Sequence, residues 1–195
     1  MWAALGAAPD EPLFRDLVAR YSEPHRKYHT MQHLGECFEK LQELRVLAGK
    51  LEEIELALWF HDAIYDTRRR DNEEKSAEWA RSAVLAAGLP APVGERVYAL
   101  VMTTRHNAMP AGIDAQILVD VDLSILGASP DRFDEYETQV RQEYSWVPGP
   151  LFRRERRKVL EDFLNRRTIF QTKQFIGAYE ARARANLQRS TGKLK

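Results

Sequence analysis

Residues 51–66, LEEIELALWFHDAIYD, read as one helix that delivers polar chemistry at its end. Ile54, Leu58, His61 and Tyr65 recur at helical spacing on one side. Glu52, Glu53 and Glu55 fill the first turn, where the helix dipole favours anions. The C-terminal half is therefore expected to face inward. His61 and Asp62, as neighbours about 100° apart around the helix axis, then lean toward the same space between helices.

Outward from this stretch, helical spacing continues in both directions, interrupted by single Gly or Pro residues rather than long linkers. Toward the N-terminus, Asp10 and Pro12 open a helix through Leu13, Leu17 and Tyr21. A second runs from a Thr30 cap through Leu34, Phe38, Leu41 and Leu44 toward Gly49. Toward the C-terminus, Asp71 with Glu74 reads as a capping box, and Gly88 and Pro90 end the helix it opens. Val93, Val97, Leu100 and Val101 mark a fifth helix, and residues 114–127 a sixth that is apolar apart from Asp120, Asp122 and Ser124. Ser129 and Pro130 cap a seventh, ending near Pro148 and Pro150. Two more follow around 152–164 and 175–187. The expected architecture is all-α, one multi-helix domain over residues 1–195, with no strand and no repeat. Its core is placed at about 25–127, with C-terminal helices at about 130–189 packing on it.

Composition narrows the function classes. Among 195 residues, 29 basic and 29 acidic side chains cancel, so no global field draws the chain to nucleic acid or anionic lipid. Nucleic-acid binding through the basic run Arg153, Arg154, Arg156, Arg157 and Lys158 is disfavoured, because Glu155, Glu161 and Asp162 supply intrahelical partners. The single cysteine, Cys37, forms no internal disulfide and reads as a small buried hydrophobe. No window holds 18 apolar residues, and Met1–Pro9 lacks the basic start and apolar stretch of a signal peptide. A cytoplasmic protein without membrane partners is expected, and homo-oligomerisation stays open.

The chemistry-bearing residues are few. His29 and His33 stand at i and i+4, about 6 Å apart on one face if the helix begins early enough. His61 and Asp62 add a nitrogen and a hard oxygen. Asp120 and Asp122 interrupt an apolar helix, where a buried carboxylate must be neutralised, paired or bound to a metal. Alone, a His-Asp doublet is a weak motif, with about 0.3 expected by chance in such a composition. The ordered set of a YHxxxH, a later HD and a still later DLS carries more weight.

These residues resemble the HD-domain superfamily of metal-dependent phosphohydrolases, an all-helical family named for its histidine-aspartate doublet. Tyr28-His29-Thr30-Met31-Gln32-His33 is similar to the YHNxxH of cyclic nucleotide phosphodiesterases, with Thr30 where those enzymes carry Asn, and Val121-Asp122-Leu123-Ser124 is similar to their ADLS. From Tyr21 to Asn186 the chain also resembles small stand-alone bacterial predicted HD phosphohydrolases, through WFHDAIYD at 59–66, Asn72-Glu73 with Ser76-Ala77, Thr104 with His106, DVDLSILG at 120–127 and VRQEY at 140–144.

The resemblance implies an HD-like bundle with the metal between central helices. It implies His33, His61, Asp62 and Asp122 as ligands, and His29 in the place of the leaving-group acid. Whether Asp120 or Asp122 is the ligand stays open. His106 and Asp120 are candidates for a second ion or for support, and Asp66 for orienting water. Arg26, Arg105 and Arg141, each near an anchor motif, are candidates for substrate phosphate.

Two imidazoles and two carboxylates suit Mn, Fe, Co, Ni or Zn better than Mg, as one or two ions. The expected activity is hydrolysis of a phosphate ester or anhydride of a small nucleotide-like or phosphorylated metabolite. The alternatives are a non-catalytic ligand-binding or regulatory module and a diiron oxygen-dependent enzyme.

Overall fold

The computed structural model describes residues 2–194, so the two end residues of the expected 1–195 domain lie outside it. Among the described residues there is no strand. The α-helices are α1 (Glu11–Tyr21), α2 (Met31–Leu44), α3 (Leu51–Phe60), α4 (Asn72–Ala86), α5 (Ala91–Thr103), α6 (Ile113–Asp122), α7 (Pro130–Glu143), α8 (Gly149–Leu164) and α9 (Lys173–Lys193). Short 3-10 turns lie at Trp2–Leu5, Arg45–Leu47 and Leu123–Gly127. None of the helices is long and apolar enough to cross a membrane.

Most boundaries follow from caps. The Asp10 carboxylate accepts from Leu13 N at 2.9 Å, the Thr30 hydroxyl from Gln32 N at 3.3 Å and the Ser129 hydroxyl from Arg132 N at 3.4 Å. Gly88, at φ +75°, ends α4 in the left-handed region that lacks a steric penalty only for glycine. The Asp71 capping box does not form. Its side chain makes no cap hydrogen bond, because both carboxylate oxygens are held by Arg69 at 2.7 and 2.8 Å.

α3 is the central helix. Glu53, Ile54, Leu56, Ala57, Leu58 and Phe60 are all buried, so it is enclosed nearly all round, and it packs against α2, α4, α5 and α6. Glu53 does more than face the helix dipole. It is buried and takes a bidentate pair from Arg96 of α5 at 2.7 and 2.7 Å. α2 lies against α6, and α9 covers the 3-10 turn at Leu123–Gly127 and packs on α8. Three elements thus converge on one point: the start of α2, the end of α3 and the end of α6.

α3 ends at Phe60, short of the helix through Tyr65 that the apolar spacing suggests. Its last carbonyls find side-chain partners instead of a further helical turn. His61 Nδ1 donates to Leu58 O at 2.7 Å, and the buried Tyr21 hydroxyl donates to Trp59 O at 3.2 Å. Arg26 donates to Asp62 O at 2.6 Å and to Ala63 O at 3.1 Å. Likewise the sixth helix stops at Asp122, and residues 123–127 tighten into the 3-10 turn.

Candidate metal centre

His33 lies in the first turn of α2, His61 caps α3 with Asp62 following, and Asp122 closes α6. Their side chains meet. His33 Nε2 is 3.1 Å from His61 Nε2, 3.6 Å from an Asp62 oxygen and 3.4 Å from an Asp122 oxygen. His61 Nε2 is 3.0 Å from Asp62 and 3.6 Å from Asp122. Ligands about 2.1 Å from a common ion stand about 3.0 Å apart at octahedral and about 3.4 Å apart at tetrahedral angles. The five separations fall in and around that range, and His33, His61 and Asp62 form one group that could hold a metal ion, with His33, Cys37 and Asp122 a second that shares His33.

The protonation logic agrees. Leu58 O only accepts, so His61 carries its proton on Nδ1, and in the neutral ring the Nε2 lone pair faces two carboxylates. Acceptors facing acceptors need a cation or a proton between them. Burial works to lower the His61 pKa, but Asp62 and then Asp122 overcome it and hold it well above the usual histidine value. Both carboxylates lie below their ordinary range: burial acts upward on each, and His61 next to Asp62, and His106, His33 and His61 next to Asp122, outweigh it. A divalent ion removes the same conflict without protons.

The choice between the two aspartates of α6 is decided by where each points. Asp122 faces the cluster, and its second oxygen takes His106 Nε2 at 2.9 Å. Asp120 is fully buried and turned toward the start of α9, accepting from Gln171 N at 2.6 Å, Thr172 N at 2.7 Å and the Thr172 hydroxyl at 2.6 Å. Burial pushes its carboxyl up to about 6 despite those donors. Asp120 anchors a helix and is not brought to the cluster. His106 orients Asp122, and it does so from a left-handed backbone at φ +52°.

His29 precedes α2, yet its ring centroid is 5.9 Å from that of His33. Its position is fixed by a residue that sequence reasoning passed over, Glu143 at the end of α7. One Glu143 oxygen accepts from the successive amides of Lys27, Tyr28 and His29 at 2.8, 2.8 and 3.0 Å. The other takes His29 Nδ1 and the Tyr65 hydroxyl, each at 2.8 Å. The Tyr65 ring lies against the His29 ring at 4.1 Å. Burial acts to lower the His29 pKa, and Asp62 and Glu143 raise it above the usual value. Glu143 itself is held down at about 2: burial opposes this, and the His29 hydrogen bond and charge prevail. Its only trace in the sequence is the VRQEY segment.

The remaining expectations fare differently. Asp66 is exposed in the loop after α3, where its carboxylate accepts from Arg68 N at 2.9 Å. Because α3 ends early, Asp66 is not one helical turn beyond Asp62 and does not join the cluster. Arg26 is buried and binds Glu23, His29 O, Asp62 O and Ala63 O, which fastens the His29 segment to the His61-Asp62 turn and leaves little for a phosphate. Arg105 pairs with Glu74 at 3.3 Å, and Arg141 donates to Tyr144 O and Val147 O at 2.7 and 3.2 Å. All three arginines are engaged structurally.

Cys37, expected only as buried packing, sits 3.7 Å from the His33 ring nitrogens. Burial first, then Asp122 and Asp62, push its thiol well up, and with His33 and Asp122 it forms a group that could hold a metal ion. In the basic run, Arg156 turns inward to Glu137, and Arg154 and Arg157 pair with Glu155 and Glu161 at 2.8 and 2.7 Å.

The chain matches no protein-family model, no curated protein and no solved structure.

Proposed function

We propose that the chain is a metal-dependent phosphohydrolase acting on a phosphate ester or anhydride of a small nucleotide-like or phosphorylated metabolite. The observation that carries this reading is the convergence of His33, His61, Asp62 and Asp122 beside a separately held histidine, His29, that is hydrogen-bonded to Glu143. A divalent transition ion bound by those four would supply a Lewis acid and a water acidic enough to react near neutral pH. Mn, Fe, Co, Ni and Zn suit this mixed nitrogen and oxygen set better than Mg.

The chain's own residues supply the rest. His61 is locked by Leu58 O with Nε2 inward, and Asp122 is steadied by His106. His29, with Nδ1–H fixed on Glu143 and its ring plane set by Tyr65, has Nε2–H left to give to a departing oxygen. Glu143 keeps that proton on the imidazole until the leaving group demands it and stays ionised afterwards. The resemblance to HD phosphohydrolases supports the same assignment.

The test is phosphate released from a panel of nucleotides and phosphorylated metabolites with Mn, Co or Ni added, comparing the wild type with Asp62→Ala. Release that disappears in Asp62→Ala is the expected result. Absence of release from every compound sinks the hydrolase reading in favour of a binding module or an oxygen-dependent enzyme.

A further inference from the structure

A cleft of about 600 Å³ is lined in part by His106, whose Nε2 binds Asp122. One chain segment brings Arg166, Arg167 and Thr168 to it, and another brings Ala108, Met109 and Pro110. No acidic residue lines it. Among the described residues neither guanidinium forms an ion pair. Arg166 donates to His106 O at 2.8 Å and lies over the Phe163 ring at 4.4 Å, and the exposed Arg167 side chain has no hydrogen-bond partner. Asp162 acts on Arg166 without forming an ion pair, and an anion in the cleft would meet both guanidinium groups with no lining carboxylate to oppose it.

The arginine-bearing segment is also rigidly built. Arg184 donates to the carbonyls of Leu164, Arg166 and Arg167 at 3.0, 2.8 and 3.1 Å. Glu180 accepts from Ile169 N and Phe170 N at 3.0 and 3.2 Å, and Asp120 takes Gln171 N and Thr172 N. With its backbone satisfied by three buried or half-buried side chains, the segment presents Arg166, Arg167 and Thr168 in a preorganised set. Asp120, not a ligand of the centre, belongs to this device.

We propose that the cleft receives a second oxyanion, a phosphate or carboxylate borne by the same molecule whose phosphate is cleaved, with Arg166, Arg167 and Thr168 as its receptor. The apolar 108–110 segment then faces the organic body that joins the two anions, and His106, which lines the cleft and binds Asp122, links receptor and centre. The substrate-borne origin of the anion rests on the phosphohydrolase reading. Anion binding rests on the cleft alone.

The experiment uses the full chain stripped of metal and titrated with inorganic pyrophosphate, following the amide resonances of Thr168 and Gln171 and the binding heat. Arg167→Gln is the chosen variant, since an exposed side chain can be changed without loss of fold. Its affinity should fall about tenfold, as expected for a lost charge-assisted contact, whereas Asp62→Ala should bind as the wild type does. Unmoved resonances at 166–171, or equal affinity in Arg167→Gln, overturn the proposal.

In turnover assays, Arg167→Gln should raise KM about tenfold for substrates with a second anion and leave it unchanged for a simple aryl phosphate. An equal effect on both assigns the cleft to a free anion and overturns the substrate-borne origin. Arg167-dependent pyrophosphate binding in a chain that hydrolyses nothing defeats the hydrolase reading and leaves the anion site standing.

Discussion

Glu143 gathers five hydrogen bonds on two oxygens, and its partners lie 78 to 116 residues away in sequence. No local pattern reports such a role, which is why the four converging residues were legible as motifs and the residue that positions His29 was not. Glu143→Gln should destabilise the chain by about 2–4 kcal/mol in urea titration, since an amide cannot accept from every one of those donors and leaves some buried groups unpaired. The sign of its pH dependence follows from a carboxyl lowered to about 2. Its contribution is present above the ordinary pKa of 4.5 and is lost as pH falls from there toward 2. The wild type should therefore lose more stability than Glu143→Gln between pH 5 and pH 2, as acid titrations of folding will show. In turnover, the fall in rate as pH rises past the raised His29 pKa should move to lower pH in this variant.

His29→Ala makes the complementary case. Turnover should drop by about 10² to 10⁴, while metal content, measured by elemental analysis, stays near that of the wild type. Equal loss of metal would make His29 a ligand rather than a proton donor.

At the scale of elements, the nine α-helices of the described residues were readable because their caps and stops are local: Asp10, Thr30, Ser129 and Gly88 act within a few residues of where they stand. The ends of α3 and α6 were not, because they depend on tertiary partners. Tyr21 and the His61 ring take the last carbonyls of α3 and Arg26 takes those of Asp62 and Ala63 just beyond it, so apolar spacing alone overextended the helix. The same blindness placed Asp66 too near the centre.

Two changes probe these joints. A Cβ at Gly127 would stand 2.7 Å from Tyr179 Cβ and 3.2 Å from Tyr179 O, where α9 crosses the 3-10 turn. Gly127→Ala should cost about 1–3 kcal/mol by denaturant melting. Asp120→Asn sets an amide NH₂ against donors at Gln171 and Thr172, and should cost about 1–3 kcal/mol with faster hydrogen exchange at the start of α9.

At the scale of the molecule, neutral overall charge hides local organisation. Acids and histidines concentrate where α2, α3 and α6 meet, and Arg166 and Arg167, which form no ion pair among the described residues, line a cleft with His106. Both inward arginines act over long sequence separations: Arg26 reaches the Asp62 and Ala63 carbonyls from 36 and 37 residues away, and Arg166 reaches the His106 carbonyl from 60. Metal binding at His33, His61, Asp62 and Asp122 should couple to stability of the whole bundle, because these residues come from three elements. An ion supplied at about 100 times its Kd should add about 2.7 kcal/mol, and the gain should shrink as pH falls and protons compete for His61.

The most direct measurement is elemental analysis of the purified chain after loading with Mn, Co, Ni or Zn and removal of free ions, for the wild type, Asp62→Ala and His29→Ala. The expected result is at least one ion per chain in the wild type and in His29→Ala, and little in Asp62→Ala. Failure of the wild type to retain any of these metals, or equal retention by Asp62→Ala, would contradict a metal centre at His33, His61, Asp62 and Asp122.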